Sequence, residues 1–355
     1  MAEADAYDYE LPRDRIAQEA LADRSAARLL AVRRSDGTLA HRHICDLPSL
    51  LRPGDLLVVN DTRVVPARLV GRRKTTGGRW EGLFLRCDPD SGAWQILAHT
   101  RGRPALAERI VLVDRAGSDG VELELLGRGP GGTWLVRPYS SEPAETILQK
   151  VGRVPLPGYI RGGEEGAGDV ERYQTVFARQ SGSAAAPTAG LHFTEALLEA
   201  LQARGIGRAS VTLHVGIDTF RPITVDRLED HPMHTEWCCV SEETAAAVRR
   251  TRQQGGRVVA VGTTAVRSLE TAALAAAEAG VTEIAPFAGP TALFIRPGFV
   301  FRATDCLLTN FHLPRTTLMV LVSTFASGPL IRKAYTEAID QNYRMLSYGD
   351  AMLIE

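Results

Sequence analysis

Arg257-Val-Val-Ala-Val-Gly262-Thr263-Thr264 is an unbroken apolar run that ends on a glycine and two hydroxyls. A strand covered on both faces reads this way, because no position alternates toward water. Working outward, Glu242–Gln254 before it and Ala265–Ala279 after it carry helical spacing, the second Ala-rich and stopped by Gly280. Thr194–Arg204 is an amphipathic helix ended by Gly205. In Arg208–Val215, Ala209, Val211, Leu213 and Val215 share one strand face, and Ser210, Thr212 and His214 share the other. Further strands are expected at Thr291–Ile295 and Cys306–Asn310. Ile331, Ala334, Tyr335, Ala338, Ile339 and Asn342 mark the inner face of a late helix. Helix and strand in alternation give an α/β layered domain with a parallel or mixed sheet.

The first half differs. Arg28–Val32 and Thr38–Ile44 flank Ser35-Asp-Gly37, a hairpin signal, and Asp55–Val59 reads as a strand that delivers Asn60 and Asp61. From Leu69 to Pro138, short runs such as Trp80–Arg86, Trp94–Ala98 and Arg109–Val113 are separated by Gly, Asp, Ser and Pro. Closely spaced short strands imply a small antiparallel barrel. The expected layout is an α/β domain over 1–68 and 141–355, interrupted by a β-barrel domain over 69–140. Glu145–Val151 reads as a helix returning the chain to the α/β domain, and Arg161–Asp169 as a mobile loop.

At 355 residues, 45% apolar and 23% charged, the chain has the makeup of a soluble two-domain protein. A net charge of −1 offers no global attraction to a polyanion, so an RNA partner needs local basic patches. Five cysteines without a C-x-x-C pair argue against a disulfide scaffold or a zinc ribbon, and fit a reducing cytoplasm. The acidic start, Met1-Ala-Glu-Ala-Asp-Ala, has no secretory character, and the apolar stretch Leu318–Phe325 is too short for a membrane span. A cytoplasmic protein without a membrane partner is expected, with a monomer favoured.

Gly262, Thr263 and Thr264 open a helix at the carboxyl end of a strand, where free N–H groups can hold a carboxylate, and Arg267 in the first turn could add a fork. The competing reading is that Thr263 or Thr264 is an ordinary N-cap. Pro187-Thr188-Ala-Gly190-Leu-His192-Phe193 places a histidine, able to act as acid or base near neutrality, beside a helix start. A hydrogen-bonded loop histidine competes with that reading. His214 ends a strand, a position that favours a cleft although most strand histidines are structural. His231-Pro-Met-His234-Thr-Glu236 lacks metal-site spacing; it suits an acid/base pair or a substrate contact better, and a plain solvated loop better still. His41 and His43 read as structural, and Asp350 alone would be a turn aspartate. Basic clusters at Arg72-Arg73-Lys74 with Arg79, and at Arg101 with Arg103, lie near Trp80 and Trp94. These tryptophans either stack on bases or fill a small core.

Taken in order, the motifs resemble the S-adenosylmethionine:tRNA ribosyltransferase-isomerase family of the queuosine pathway. They are Tyr7-Asp-Tyr-Glu-Leu-Pro12, Gly54 to Arg68 with Asn60-Asp61-Thr-Arg63, Pro155-Leu-Pro, Tyr173-Gln-Thr-Val-Phe177 and Ala186 to Phe193. Leu213-His-Val-Gly216, His231 with Met233-His-x-Glu236, Val261 to Glu270, Thr309-Asn-Phe-His-Leu-Pro314 and Ser347-Tyr-Gly-Asp-Ala-Met352 follow. The resemblance implies an α/β domain interrupted by a β-barrel, and a transferase-isomerase of tRNA modification. S-adenosylmethionine is the implied co-substrate, with no metal. Its ribosyl part would move to 7-aminomethyl-7-deazaguanine at the wobble position, giving epoxyqueuosine, adenine and methionine.

Such a reaction needs a base at C5′, an acid for adenine and an unprotonated amine. His192, His214 and His234 are the candidates, with Glu236 and Asp350 as carboxylate partners. Thr188, Gly190, Gly262, Thr263, Thr264 and Arg267 would hold the co-substrate, and Asn60, Asp61 and Arg63 the ribose or the deazaguanine edge. The chain departs from the family pattern at Gly216-Ile-Asp218-Thr-Phe220, at Gly158 and Arg161, and at Met345-Leu346. Those changes bear on substrate identity more than on fold, and two other readings stand beside the first: the same ribosyl chemistry on a free deazapurine or other small acceptor, and a non-catalytic RNA-binding relative, against which the intact polar motif residues argue.

Overall fold

The computed structural model describes residues 3–129, 132–216 and 222–355. Asp218 lies outside them. The chain forms two compact units: Met1–Arg63, Tyr159–Gly162 and Arg172–Glu355 make one, and Val64–Gly158 with Gly163–Glu171 the other.

The first unit is built on a nine-stranded mixed sheet. Its order is Phe287–Thr291, Glu236–Val240, Gly207–Leu213, Leu56–Asn60, Val258–Val261, Cys306–Asn310, Ala351–Ile354, Arg28–Val32 and Leu39–His43. The four strands from Gly207–Leu213 to Cys306–Asn310 run parallel to one another. All of Val258–Val261 is buried, as its apolar run dictates. Val258 and Ala260 face one core layer, with Val266 and Leu269 of the helix Thr263–Glu278. Val259 and Val261 face the other, with Leu197 and Leu201 of the helix Glu195–Ala203. A strand with helices on both faces must be apolar at every position.

Three strands of this sheet differ from expectation, one of them at its edge. The strand expected at Thr291–Ile295 runs instead over Phe287–Thr291, where Pro290 is tolerated because the strand is an edge. Glu236–Val240 and Ala351–Ile354 are strands that the pattern did not signal. The second of these joins Cys306–Asn310 antiparallel and Arg28–Val32 parallel.

The second unit is an antiparallel barrel. Arg68–Arg73, Arg79–Cys87, Trp94–Thr100, Trp134–Pro138, Asp119–Arg128 and Arg109–Val113 follow in order, and the pairing of the first with the last closes it. Trp80, Trp94 and Trp134 are buried at its centre. Gly82 is obligatory there, since a Cβ would fall 2.3 Å from the Trp80 ring. The two tryptophans offered as base-stacking candidates are therefore core. The helix Ala144–Val151 also packs into the barrel through Ile147, Leu148 and Val151, rather than returning the chain to the α/β unit. Its basic cluster is neutralised: Arg72 pairs with Asp119, Arg73 with Glu108, Lys74 with Glu122 and Arg79 with Glu81. The stretch read as a mobile loop is tied down, with Glu165 bonded to Arg115 and to the Val154 N–H.

Candidate functional site at the carboxyl edge of the sheet

Open α/β sheets place chemistry at the carboxyl ends of their parallel strands. Here Asn60, Leu213, Val261 and Asn310 are the last residues of four such strands. The antiparallel neighbours begin at the same edge, which brings Glu236 and Asp350 to it.

At one point of this edge the turn Thr188–His192 packs beside Cys306–Asn310. His192 is 5% exposed, and its Nε2 lies 3.2 Å from Asn310 Nδ2. An amide nitrogen only donates, so Nε2 accepts and the imidazole proton sits on Nδ1. Burial, reinforced by Arg24 and Arg344, lowers the His192 pKa to about 4, so the ring is neutral at physiological pH. Asn310 Nδ2 also reaches the Leu346 carbonyl at 3.2 Å, while its buried Oδ1 has no partner among the described residues. Next to it, His312 Nε2 bonds Thr309 Oγ1 at 2.8 Å, and burial takes its pKa down to about 3. Thr188, Asn310, His312 and Ser347 line one small cavity. Within Thr309-Asn-Phe-His-Leu-Pro314, no sequence pattern marks Asn310 and His312 as a pair of buried polar groups.

The helix Thr263–Glu278 starts on Gly262, at φ 90° and ψ 156°, with no side-chain cap. Such a backbone is open essentially to glycine alone. Neither threonine is the N-cap, which corrects the competing reading above. The first-turn N–H groups are thus left without a side-chain acceptor, and buried Thr264 Oγ1 has no partner among the described residues. A Cβ on Gly262 would lie 3.5 Å from Ala189, so this helix start and the His192 turn are in contact. Gly190 has a packing role in that turn, because a Cβ there would come 2.9 Å from Thr175.

Arg267, one turn along, is not a free fork. Its Nη1 pairs with buried Glu236, and its Nε donates to the Leu293 carbonyl at 3.2 Å. Only Nη2 is without a partner among the described residues. Glu236 also accepts the Gly216 N–H at 2.7 Å. Glu236 and Arg267 line a cavity with His231, His234, Met233 and Phe294, and His234 is exposed there.

On the next strands, Asn60 Oδ1 accepts from the Leu213 and Thr62 N–H groups, and its Nδ2 donates to the Leu213 carbonyl. Its amide thus extends the sheet ladder by one rung. Asp61 is buried and accepts the Thr212 hydroxyl at 2.7 Å, with Arg179 at 3.6 Å. His214 Nδ1 lies 2.8 Å from Thr62 Oγ1, whose one proton points to the Gln180 carbonyl at 3.4 Å. The tautomer in which both contacts form has Nδ1 donating, and it leaves Nε2 a lone pair with no partner among the described residues. Burial lowers the His214 pKa, against the pull of Asp61. The Arg63 side chain is exposed and makes no bond among the described residues.

Asp350 does not orient a histidine. Its two oxygens accept the backbone N–H groups of Arg28 and Arg344 at 2.8 and 2.7 Å, and burial raises its pKa. The site therefore gathers His192, Thr188, Gly190 and Gly262 to Thr264 at one place and His214, Asp61 and Asn60 on the neighbouring strands. His234 with Glu236 and Arg267 line the cavity beyond the helix start. Among the described residues no group of three His, Cys, Asp or Glu side chains could hold a metal ion, and no helix is long and apolar enough to cross a membrane.

Residues 4–354 match the family model described as queuosine biosynthesis protein. An S-adenosylmethionine:tRNA ribosyltransferase-isomerase from Xanthomonas oryzae pv. oryzae is 50% identical over 348 residues, covering 98% of this chain and 95% of the relative. Its counterpart from Azoarcus sp. is 50% identical over 355 residues, covering 98% and 96%. The crystal structure of an S-adenosylmethionine tRNA ribosyltransferase from Thermotoga maritima is similar over 99% of this chain and 100% of its own, at 34% identity and a TM-score of 0.55.

Proposed function

The chain belongs to the queuosine biosynthesis family of S-adenosylmethionine:tRNA ribosyltransferase-isomerases, and from that we propose that it works at the carboxyl edge of its sheet. The ribosyl part of S-adenosylmethionine is transferred and isomerised onto 7-aminomethyl-7-deazaguanine at the tRNA wobble position. Epoxyqueuosine forms, and adenine and methionine leave. The protein acts in the cytoplasm on that modified tRNA.

One observation carries the assignment. Thr264 Oγ1, Asn310 Oδ1 and Arg267 Nη2 are buried polar atoms without partners among the described residues. Native folds leave few such atoms unless a ligand or water completes them. Two of them flank an uncapped helix start and a neutral buried histidine, which suits a ligand with a carboxylate and several hydroxyls.

The sulfonium of the co-substrate supplies acidified C5′ hydrogens and a good leaving group. The residues divide the remaining work. First-turn N–H groups at Thr263 and Thr264, with Thr264 Oγ1, hold the methionyl carboxylate at the helix start. His214 presents an unprotonated Nε2, the state required to take a proton from carbon or from the attacking amine. His192 presents Nδ1–H instead, so it donates toward the departing adenine. Asp61 and Arg63 meet the deazaguanine or its ribose. Asn60, Glu236 and Asp350 position strand ends and Arg267.

Incubation with S-adenosylmethionine tests this directly. Adenine and methionine should appear only when tRNA bearing the aminomethyl deazaguanine is present, and His192→Ala should lower turnover at least about 100-fold. Equal release with the free base would transfer the function to a small acceptor, and unchanged turnover in the variant would remove His192 from the chemistry.

A further inference from the structure

Of the four tryptophans, three are buried in the barrel core, and Trp237 alone is exposed, at 45%. It is not a loosely placed surface residue. The pairs Leu213–Cys238 and Thr212–Cys239 set His214 opposite Trp237, and the His214 N–H bonds the Trp237 carbonyl at 3.1 Å. The two rings stack with centroids 5.5 Å apart and planes 20° apart. The imidazole is fixed in turn. Thr62 holds its Nδ1, and a Cβ on Gly182 would approach the ring to 3.0 Å. A large flat apolar ring is thus held rigidly at the surface, where burial of it by a partner is favourable.

The surroundings select the partner. Arg208, Ser210, Thr212 and His214 alternate onto one strand face. Exposed Arg208 sits over Phe177, and Arg179, with a 68% exposed side chain, donates to Ser210 Oγ at 3.1 Å. The carboxylate in this row, Asp61, is buried beneath the Thr212 hydroxyl and lies 3.6 Å from the Arg179 guanidinium, whose side chain remains exposed. A fixed aromatic face followed by exposed guanidiniums is how single-stranded RNA is held, by stacking on the base and by charge on the phosphates.

We propose that Trp237 is the stacking platform for an unpaired base of the RNA substrate, and that Arg179 and Arg208, farther along the same strand face, take phosphates elsewhere in the bound loop. This rests on the tRNA-modifying function above and adds the surface that receives the loop. The base stacks on the open face of the indole, since His214 covers the other.

Trp237 is also the probe. The full-length protein is titrated with a hairpin RNA carrying an anticodon-type single-stranded loop, and with a blunt duplex of the same composition, while tryptophan emission is followed. The loop RNA should quench emission saturably, and Trp237→Phe should abolish the change while keeping Kd within about threefold. Trp237→Ala, with an unchanged melting temperature, should raise Kd about fivefold or more, the range of one lost base stack. Equal affinity of Trp237→Ala and wild type, or equal quenching by the duplex, overturns the proposal. Trp237-dependent loop binding without adenine release would instead support it and sink the catalytic reading.

Discussion

His192 and His214 are both neutral imidazoles, yet they offer opposite groups, because Asn310 donates to one and Thr62 accepts from the other. That contrast is set by single polar neighbours, so changing a neighbour should invert it. Asn310→Asp would replace a donor with a carboxylate, favour the imidazolium and move the His192 pKa up from about 4. The expected outcome is a histidine titration visible by NMR near or above the ordinary value, with turnover reduced about 100-fold as the donor on Nδ1 is redirected. A His192 signal that stays neutral down to pH 5 would contradict it. Residue identity in the sequence marked His192 and His214 as candidates, but could not reveal their protonation. Asn310 and Thr62, which fix it, are 118 and 152 positions away.

Elements show where patterning suffices and where it fails. Val258–Val261 and the flanking helices were legible because a central parallel strand must be apolar throughout. Phe287–Thr291 was not, since its Gly and Pro are turn signals that only an edge position permits. Trp80 and Trp94 alternate as any barrel strand does, and alternation does not tell which face is inside. The helix Thr263–Glu278 carries another consequence. Its Arg267 is buried against Glu236, an ion pair whose members are costly to leave alone. Glu236→Gln should destabilise the fold by about 3–5 kcal/mol, and adding Arg267→Met should recover much of the loss. Chemical denaturation of the single and double variants measures this, and an additive double variant would show that the pair is not coupled.

For the whole molecule, buried neutral histidines dictate an acid sensitivity. His192 and His312 titrate at about 4 and about 3 when folded, below their ordinary 6.5. The unfolded chain therefore binds protons that the native state refuses. Their contribution to stability is complete above pH 6.5 and declines as pH falls toward 4, by about 1.4 kcal/mol per pH unit for each histidine. Glu270 and Asp350, whose carboxyls are raised by burial, act in the opposite sense. Denaturant midpoints at pH 7.5 and 5.5 should differ, with the acidic one lower. Identical midpoints would mean that both rings accept their protons while folded.

The strand Ala351–Ile354 is the sole link in the sheet between Cys306–Asn310 and the hairpin that begins at Arg28. During synthesis on the ribosome, that hairpin emerges more than 300 positions before the segment that docks it. It must wait with an open, apolar edge, a state that invites chaperone capture or mispairing. Closure of the sheet, and with it the clamp of Asp350 on Arg28, thus waits on a four-residue strand more than 300 positions downstream of the hairpin.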